Sequence, residues 1–193
     1  MNTIYFLKIN PKTDTTNRIK LKEYCSKMGK LIVKNIARSL LGAKEETLVF
    51  ESYEKGKPYF KNYPHFHFNI SHSDNAVTVA VCDGAVGIDC EKIQKANPKL
   101  AKRFFTEKEN AYINENSLES DTRFFEIWTK KEAFLKLSGK GITIPLASFD
   151  VTDGSLNESF YTIKKGEVVI SVCTHCPTDF AFSEISEEDI PNL

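Results

Sequence analysis

The sequence predicts an α+β protein, and three observations carry that prediction. Two long stretches with helical spacing, about 18–41 and 121–138, end at Gly42 and at "SGKG" (138–141), as helices commonly end at glycine. Three short runs, "FHFNIS" (66–71), "AVTVAVC" (76–82) and "AVGIDCE" (85–91), read as strands separated by turn-forming residues. The order strand, helix, several strands occurs twice, which places two similar halves at 1–84 and 85–193, without a sequence repeat between them.

Taken in order, "TIYFLKI" (3–9) alternates as a strand, and a helix follows from about 18 to 41. "TLVFESY" (47–53) is a further strand, and "EKGKPYF" a loop by its Gly and Pro. The turn residues "HSDN" (72–75) and Asp83-Gly84 then join the three short runs into an antiparallel meander. In that register Glu91 faces Ala76, Asp89 faces Thr78, Ser71 faces Ala76 and Asn69 faces Thr78. One face carries Asn69, Ser71, Ala76, Thr78, Ala80, Gly87, Asp89 and Glu91 as a small, polar cleft floor. The other carries Phe68, Ile70, Val77, Val79, Val81, Val86, Ile88 and Cys90 as core. The second half opens with helices at "NPKLAKRFF" and "TEKENAYINEN". After the long helix come strands at "ITIPLASFDV", "SFYTIKK", "EVVISVC" and "DFAFSEI".

The balance of 26 basic and 26 acidic side chains gives no net charge, so nothing suggests a nucleic-acid footprint. No run approaches the ~20 apolar residues of a membrane span. The start lacks the pattern of a signal peptide, and five cysteines without framework spacing suit reduced thiols; a cytoplasmic protein is expected. "CTHC" (173–176) is a weak zinc signal without a second pair. Residues 1–44 carry ten Lys/Arg against Asp14 and Glu23. Lys27, Lys30, Lys34 and Arg38 recur at helical spacing, either as a solvated face or as a surface that steers an anionic partner.

"GIDCEKI" (87–93) sets Asp89 and Glu91 on one face of a strand, about 6.6 Å apart. Like charges so close raise each other's cost unless a cation lies between them. In "RFFEIWTKKEAFLKL", Glu132 sits on an arc with Phe125, Trp128 and Leu135, with Lys136 one turn on. A carboxylate there needs a cation or donors, although an ordinary surface Glu–Lys pair is the bland alternative. Three oxygen ligands without sulfur or nitrogen fit magnesium shared with substrate phosphates. Lys131, Lys136 and His72 are then cations for phosphate oxygens.

These motifs, with "GKPYF" and "FNISHS" ahead of "GIDCEKI" and "WTKKEAFLK" about forty residues after it, resemble the 4′-phosphopantetheinyl transferases, in particular their larger group. The resemblance implies a pseudo-twofold fold of two α+β halves in one monomer, with the active site at their junction. It implies transfer of phosphopantetheine from coenzyme A to a serine of an apo acyl or peptidyl carrier protein, with magnesium and release of 3′,5′-ADP. It places Asp89, Glu91 and Glu132 at metal positions, and Lys57, Ser71 and His72 at the nucleotide and its 3′-phosphate. Lys131 and Lys136 fall at the diphosphate and Glu109 at the position of a base for the serine. Glu109 also completes a capping box with Thr106. Where the family carries an arginine-rich stretch before the first long helix, this chain offers Lys20, Lys22 and Lys27. The residues leave two other classes open: a magnesium-dependent hydrolase of a nucleotide diphosphate, and a non-catalytic coenzyme A or carrier-protein binding module.

Overall fold

In the computed structural model, residues 2–10, 18–53, 56–139, 144–176 and 179–193 are described. The elements are β1 (Thr3–Lys8), α1 (Arg18–Leu41), β2 (Phe50–Ser52), β3 (Pro58–Phe60), β4 (His67–Ser73), β5 (Ala76–Cys82) and β6 (Val86–Lys92). They continue with α2 (Pro98–Phe104), α3 (Glu107–Asn114), α4 (Ser120–Leu137), β7 (Ser159–Lys165), β8 (Val168–Thr174) and β9 (Ala181–Ile185). Residues 2–10 and 18–84 supply the order β4-β5-β1 of a first sheet, to which β9 adds parallel to β1; a second sheet has the order β6-β8-β7.

The layers follow from the alternation of each strand. Val77, Val79 and Val81 of β5 pack with Leu7 of β1 against Met28, Ile32, Val33 and Ile36 of α1. The opposite face, Ile4, Phe6, Ala76 and Ala80, packs against Val86, Ile88, Cys90, Ile170 and Val172 of the second sheet. Helix α4 covers the far side of β6 and β8. Helix, sheet, sheet and helix are therefore stacked, with two apolar layers and an aromatic cluster under α2–α4.

Several expectations change here. Asp83-Gly84 is not a hairpin: both edges of β5 are already taken, by β4 and β1, so β6 crosses into the other sheet and pairs with β8. Ala76, Thr78 and Ala80 are consequently buried between sheets and form no cleft floor. Val86, Ile88 and Cys90 join that inter-sheet layer, apart from the β5 valines. The turn after β4 is tighter than "HSDN": Ser73 pairs with Ala76 and Ser71 with Thr78, and Asp74 takes the left-handed conformation (φ 52°) that Asp tolerates. The two-residue slip keeps the β4 and β5 side chains on the faces predicted for that pair. "GKPYF" contributes β3, paired with β2. Over its described part, 144–151, "ITIPLASFDV" holds a short 3₁₀ turn rather than a strand. Its first two residues, and the end of "SGKG", lie outside the described residues.

Candidate active site

The site begins with a missing side chain. A Cβ on Gly87 would lie 2.0 Å from the Ala133 carbonyl oxygen and 2.6 Å from the Leu137 nitrogen, so only glycine lets α4 settle on β6. That approach brings Lys136 of α4 down to Asp89, two residues along the same face of β6. The Lys136 ammonium donates to Asp89 Oδ1 at 2.5 Å and to Ser71 Oγ at 3.1 Å. Burial opposes its charge, but Asp89 outweighs that and holds it above the usual lysine range.

Asp89 is 5% exposed; Ser71 donates to its Oδ1 at 2.9 Å, and its buried Oδ2 has no hydrogen-bond partner among the described residues. Glu91 receives a hydrogen bond from Ser73 at 2.5 Å. Burial lifts the Glu91 carboxyl above the usual range; the Ser73 bond opposes this, while Asp89 and Glu132 add to it. Glu132 is likewise raised by burial and by Asp89. The structure thus places Asp89, Glu91, Glu132 and Lys136 in one electrostatic neighbourhood. Among the described residues, no three His, Cys, Asp or Glu side chains converge closely enough to hold a metal ion as they stand. The fit to a hard divalent cation lies in the all-oxygen donor set, the elevation of Glu91 and Glu132 beside Asp89, and the unused Asp89 oxygen.

His72 points the other way from β4, toward α1. There it lines a ≈520 Å³ groove with Lys22, Ser26, Lys27 and Lys30, which adjoins a ≈630 Å³ cleft shared with Arg18, Ser73 and Lys92. Burial and then the charges of Lys22 and Lys136 push its imidazole below the usual value, against Asp89. Lys22 and Lys27 belong to this lining; Lys20 does not.

Three predicted site residues are placed elsewhere. Lys131 is fully buried and spends its ammonium on Glu109 (2.8 Å) and the carbonyls of Leu146 (2.7 Å) and Phe149 (2.6 Å). An ammonium has three protons, so none is left for a diphosphate. Burial pulls it below the usual lysine range, against the pull of Glu109. Glu109 is equally enclosed: Oε2 accepts from the Thr106 amide and Lys131, and Oε1 from the Val151 amide at 2.9 Å. The capping box exists, but the carboxylate is 0% exposed and has no access to a carrier serine. Lys57 donates to the carbonyls of Val86 (2.8 Å) and Leu137 (2.9 Å), capping the C-terminus of α4, and burial lowers it to about 8. It lines a separate ≈180 Å³ cavity with Tyr53 and Phe66 rather than the groove at His72.

Two interactions were missed. Asn69 and Ser71, expected on a cleft floor, and Ser73 of β4 accept from the backbone amides of Ile88 (2.8 Å), Cys90 (3.4 Å) and Lys92 (3.4 Å), joining the sheets through side chains, and Ser71, expected at the nucleotide, is held by Asp89 and Lys136. The signal was available, since these are small polar residues at period two on one face. The Asp74–Lys92 ion pair (3.0 Å) at the mouth of the cleft depends on a tertiary approach and has no such signal. The residues of "CTHC" do not converge among the described residues: Cys173 is buried in the apolar layer under α4, and His175 lies 3.6 Å from Glu158.

An acidic cluster with one engaged lysine, at the seam where β4 of one sheet meets β6 of the other and beside a basic groove, defines the class: a two-sheet α+β protein with a polar site at the junction of its halves. The comparisons with known proteins give that class a family. The model of the 4′-phosphopantetheinyl transferase superfamily matches residues 85–182, just over half of the chain, and that of a 4′-phosphopantetheinyl transferase N-terminal region matches 18–84. The chain belongs to the 4′-phosphopantetheinyl transferase superfamily. It is 38% identical over 123 residues to the 4′-phosphopantetheinyl transferase psf-1 of Bacillus pumilus, covering 63% of this chain and 53% of the relative. It is 37% identical over 147 residues to gsp of Aneurinibacillus migulanus (76% of this chain, 61% of the relative). Against Sfp of Bacillus subtilis it is 34% identical over 125 residues (64% and 56%). The chain thus spans little more than half the length of these relatives.

Proposed function

We propose that this chain transfers the 4′-phosphopantetheine group of coenzyme A to a serine of an apo acyl or peptidyl carrier protein, in a magnesium-dependent reaction. The observation that carries the reading is the meeting of Asp89 and Glu91 with Glu132 and Lys136 across Gly87. Asp89, Glu91 and Glu132 would hold the cation, whose chemistry is to neutralise charge on the diphosphate. Lys136, whose side chain is 32% exposed, supplies a second positive group to the same oxygens. Lys22, Lys27 and Lys30, with the His72 imidazole beside them, offer a cationic groove for the remaining phosphate. The serine oxygen forms the new bond to the β-phosphorus, the bond from that phosphorus to the departing 3′,5′-ADP breaks with its electron pair leaving on the ADP oxygen, and the hydroxyl proton passes to water. Phosphoryl transfer needs mostly positioning and charge compensation, which these groups provide.

The two halves, 1–84 and 85–193, would act as one monomer, with β9 of the second half completing the sheet of the first. Cys25, Cys82, Cys90 and Cys173 are buried thiols, which suits a reducing, cytoplasmic setting. Among the described residues no helix is long and apolar enough to cross a membrane.

The protein is incubated with coenzyme A, magnesium and an apo carrier protein, and the carrier is weighed. A gain of one phosphopantetheine group supports the reading. Cleavage of coenzyme A without carrier modification would make it a hydrolase, and neither change would leave a binding module.

A further inference from the structure

Between β4 and β6, the two sheets meet without a backbone ladder. Asn69, Ser71 and Ser73 each reach across to an amide of β6, and two of the three also touch a carboxylate. A serine hydroxyl has one proton and two acceptor lone pairs. Ser71 Oγ accepts from the Cys90 amide and from Lys136, so its proton is committed to Asp89 Oδ1. Ser73 Oγ accepts from the Lys92 amide and donates to Glu91 Oε2. In both cases one carboxylate oxygen is tied to the seam; the other oxygen of Asp89, Oδ2, is buried without a hydrogen-bond partner among the described residues.

From this we infer that Ser73 is a positioning residue: its hydroxyl limits the orientations open to the Glu91 carboxylate when a divalent cation draws the carboxylates together. The inference rests on the functional reading above for the identity of the cation's site. Asp89 has two holders, Ser71 and Lys136, whereas Glu91 has Ser73 alone among the recorded side-chain hydrogen bonds of the described residues. Glu91 is therefore the ligand most dependent on the seam. Ser73 is not placed to touch the reacting atoms, and its influence passes through Glu91.

Manganese binding to the full chain with coenzyme A present, followed by the electron-spin resonance of the free ion, tests this without any transfer step. Ser73→Ala is expected to weaken manganese binding about tenfold, the lower end of the effect of losing a group that orients a metal ligand. It should raise the half-saturating magnesium of the transfer reaction by a similar factor. Saturating magnesium should restore kcat, and Ser73→Thr, which keeps the hydroxyl, should bind manganese like the parent. The inference is overturned if Ser73→Ala binds manganese normally, including the case where it only lowers the melting temperature equally with and without cation. A kcat deficit that magnesium cannot restore would overturn it too. A parent protein that binds manganese but transfers nothing defeats the functional reading and leaves the role of Ser73 decided by the binding data.

Discussion

Helix α4 carries two lysines five residues apart, each against a carboxylate, and they do opposite things. Lys131 and Glu109 are sealed: side-chain exposures are 1% and 0%, and every proton of the ammonium has a partner. Lys136 and Asp89 are open: the lysine is one-third exposed and an oxygen of the aspartate has no partner. The same pair of charges is a rivet where the surroundings complete it and a site where they stop short. Lys131 ties α4 to the start of α3 and to the 146–151 segment, so the sealed pair holds the helix that presents the open one.

Breaking the sealed pair should have the largest effect. Lys131→Ala leaves Glu109 buried with two amide donors and no counter-charge; the expected loss is about 3–5 kcal/mol in denaturant unfolding. Glu109→Gln preserves the capping box but strands the Lys131 ammonium. It should be destabilised by about 2 kcal/mol or more, with whatever activity is lost tracking the unfolded fraction. A Glu109→Gln protein of parental stability and much lower kcat would instead restore a chemical role to Glu109.

The open pair should respond in the opposite sense. Asp89→Ala is expected to reduce carrier modification about a hundredfold or more. Its stability should stay within about 1 kcal/mol of the parent, because removing one of three neighbouring carboxylates relieves repulsion while it loses Lys136. Equal damage to fold and activity would erase the contrast between the two pairs.

How much of this was readable depended on the range of the interaction. The period of two put Asp89 and Glu91 on one face of β6, and the 3.6-residue period put Glu132 and Lys136 on one side of α4; both are local rules. "TEKE" announced its capping box for the same reason. The sheet assignment of β6 was not readable. Asp83-Gly84 signals a change of direction, but β1, some seventy residues earlier in the chain, already occupies the free edge of β5. Nor could the sequence reveal that Glu109 and Lys131 close on each other, since the carbonyls and amide that complete them come from 146–151. A lysine inside a catalytic-looking motif reads as available until its hydrogen bonds are counted.

The raised carboxylates give a smaller, pH-dependent test of the same openness. Glu91 and Glu132 both bind a proton more readily in the folded protein than their ordinary value of 4.5. Between that value and their raised ones the folded state holds more protons, so stability falls as pH rises through this window. Magnesium, binding the ionised forms, should flatten the fall, and thermal melts from acid to neutral pH with and without the ion measure it. Asp89→Ala should shrink the effect; a slope independent of magnesium would mean that the carboxylates do not share a cation.

The smallest effect is expected on the basic stripe of α1, which the structure divides. Lys34 is bonded to Glu45 at 2.7 Å and Arg38 lies 3.9 Å from the same carboxylate, whereas Lys22, Lys27 and Lys30 line the groove at His72. Lys34 and Arg38 are thus the counterpart of the sealed pair on the surface, where water screens the charges and a pair contributes only a few tenths of a kcal/mol. Lys34→Ala should therefore change stability by about 0.5 kcal/mol or less and leave the KM values for coenzyme A and carrier unchanged. Lys27→Ala, on the groove side of the same helix, should raise the KM for coenzyme A several-fold, and salt should narrow the difference from the parent, because added ions screen the charge that was removed. If Lys34→Ala raised the carrier KM as Lys27→Ala raises that for coenzyme A, the whole stripe would be a docking surface, and the Glu45 pairing would be incidental to it.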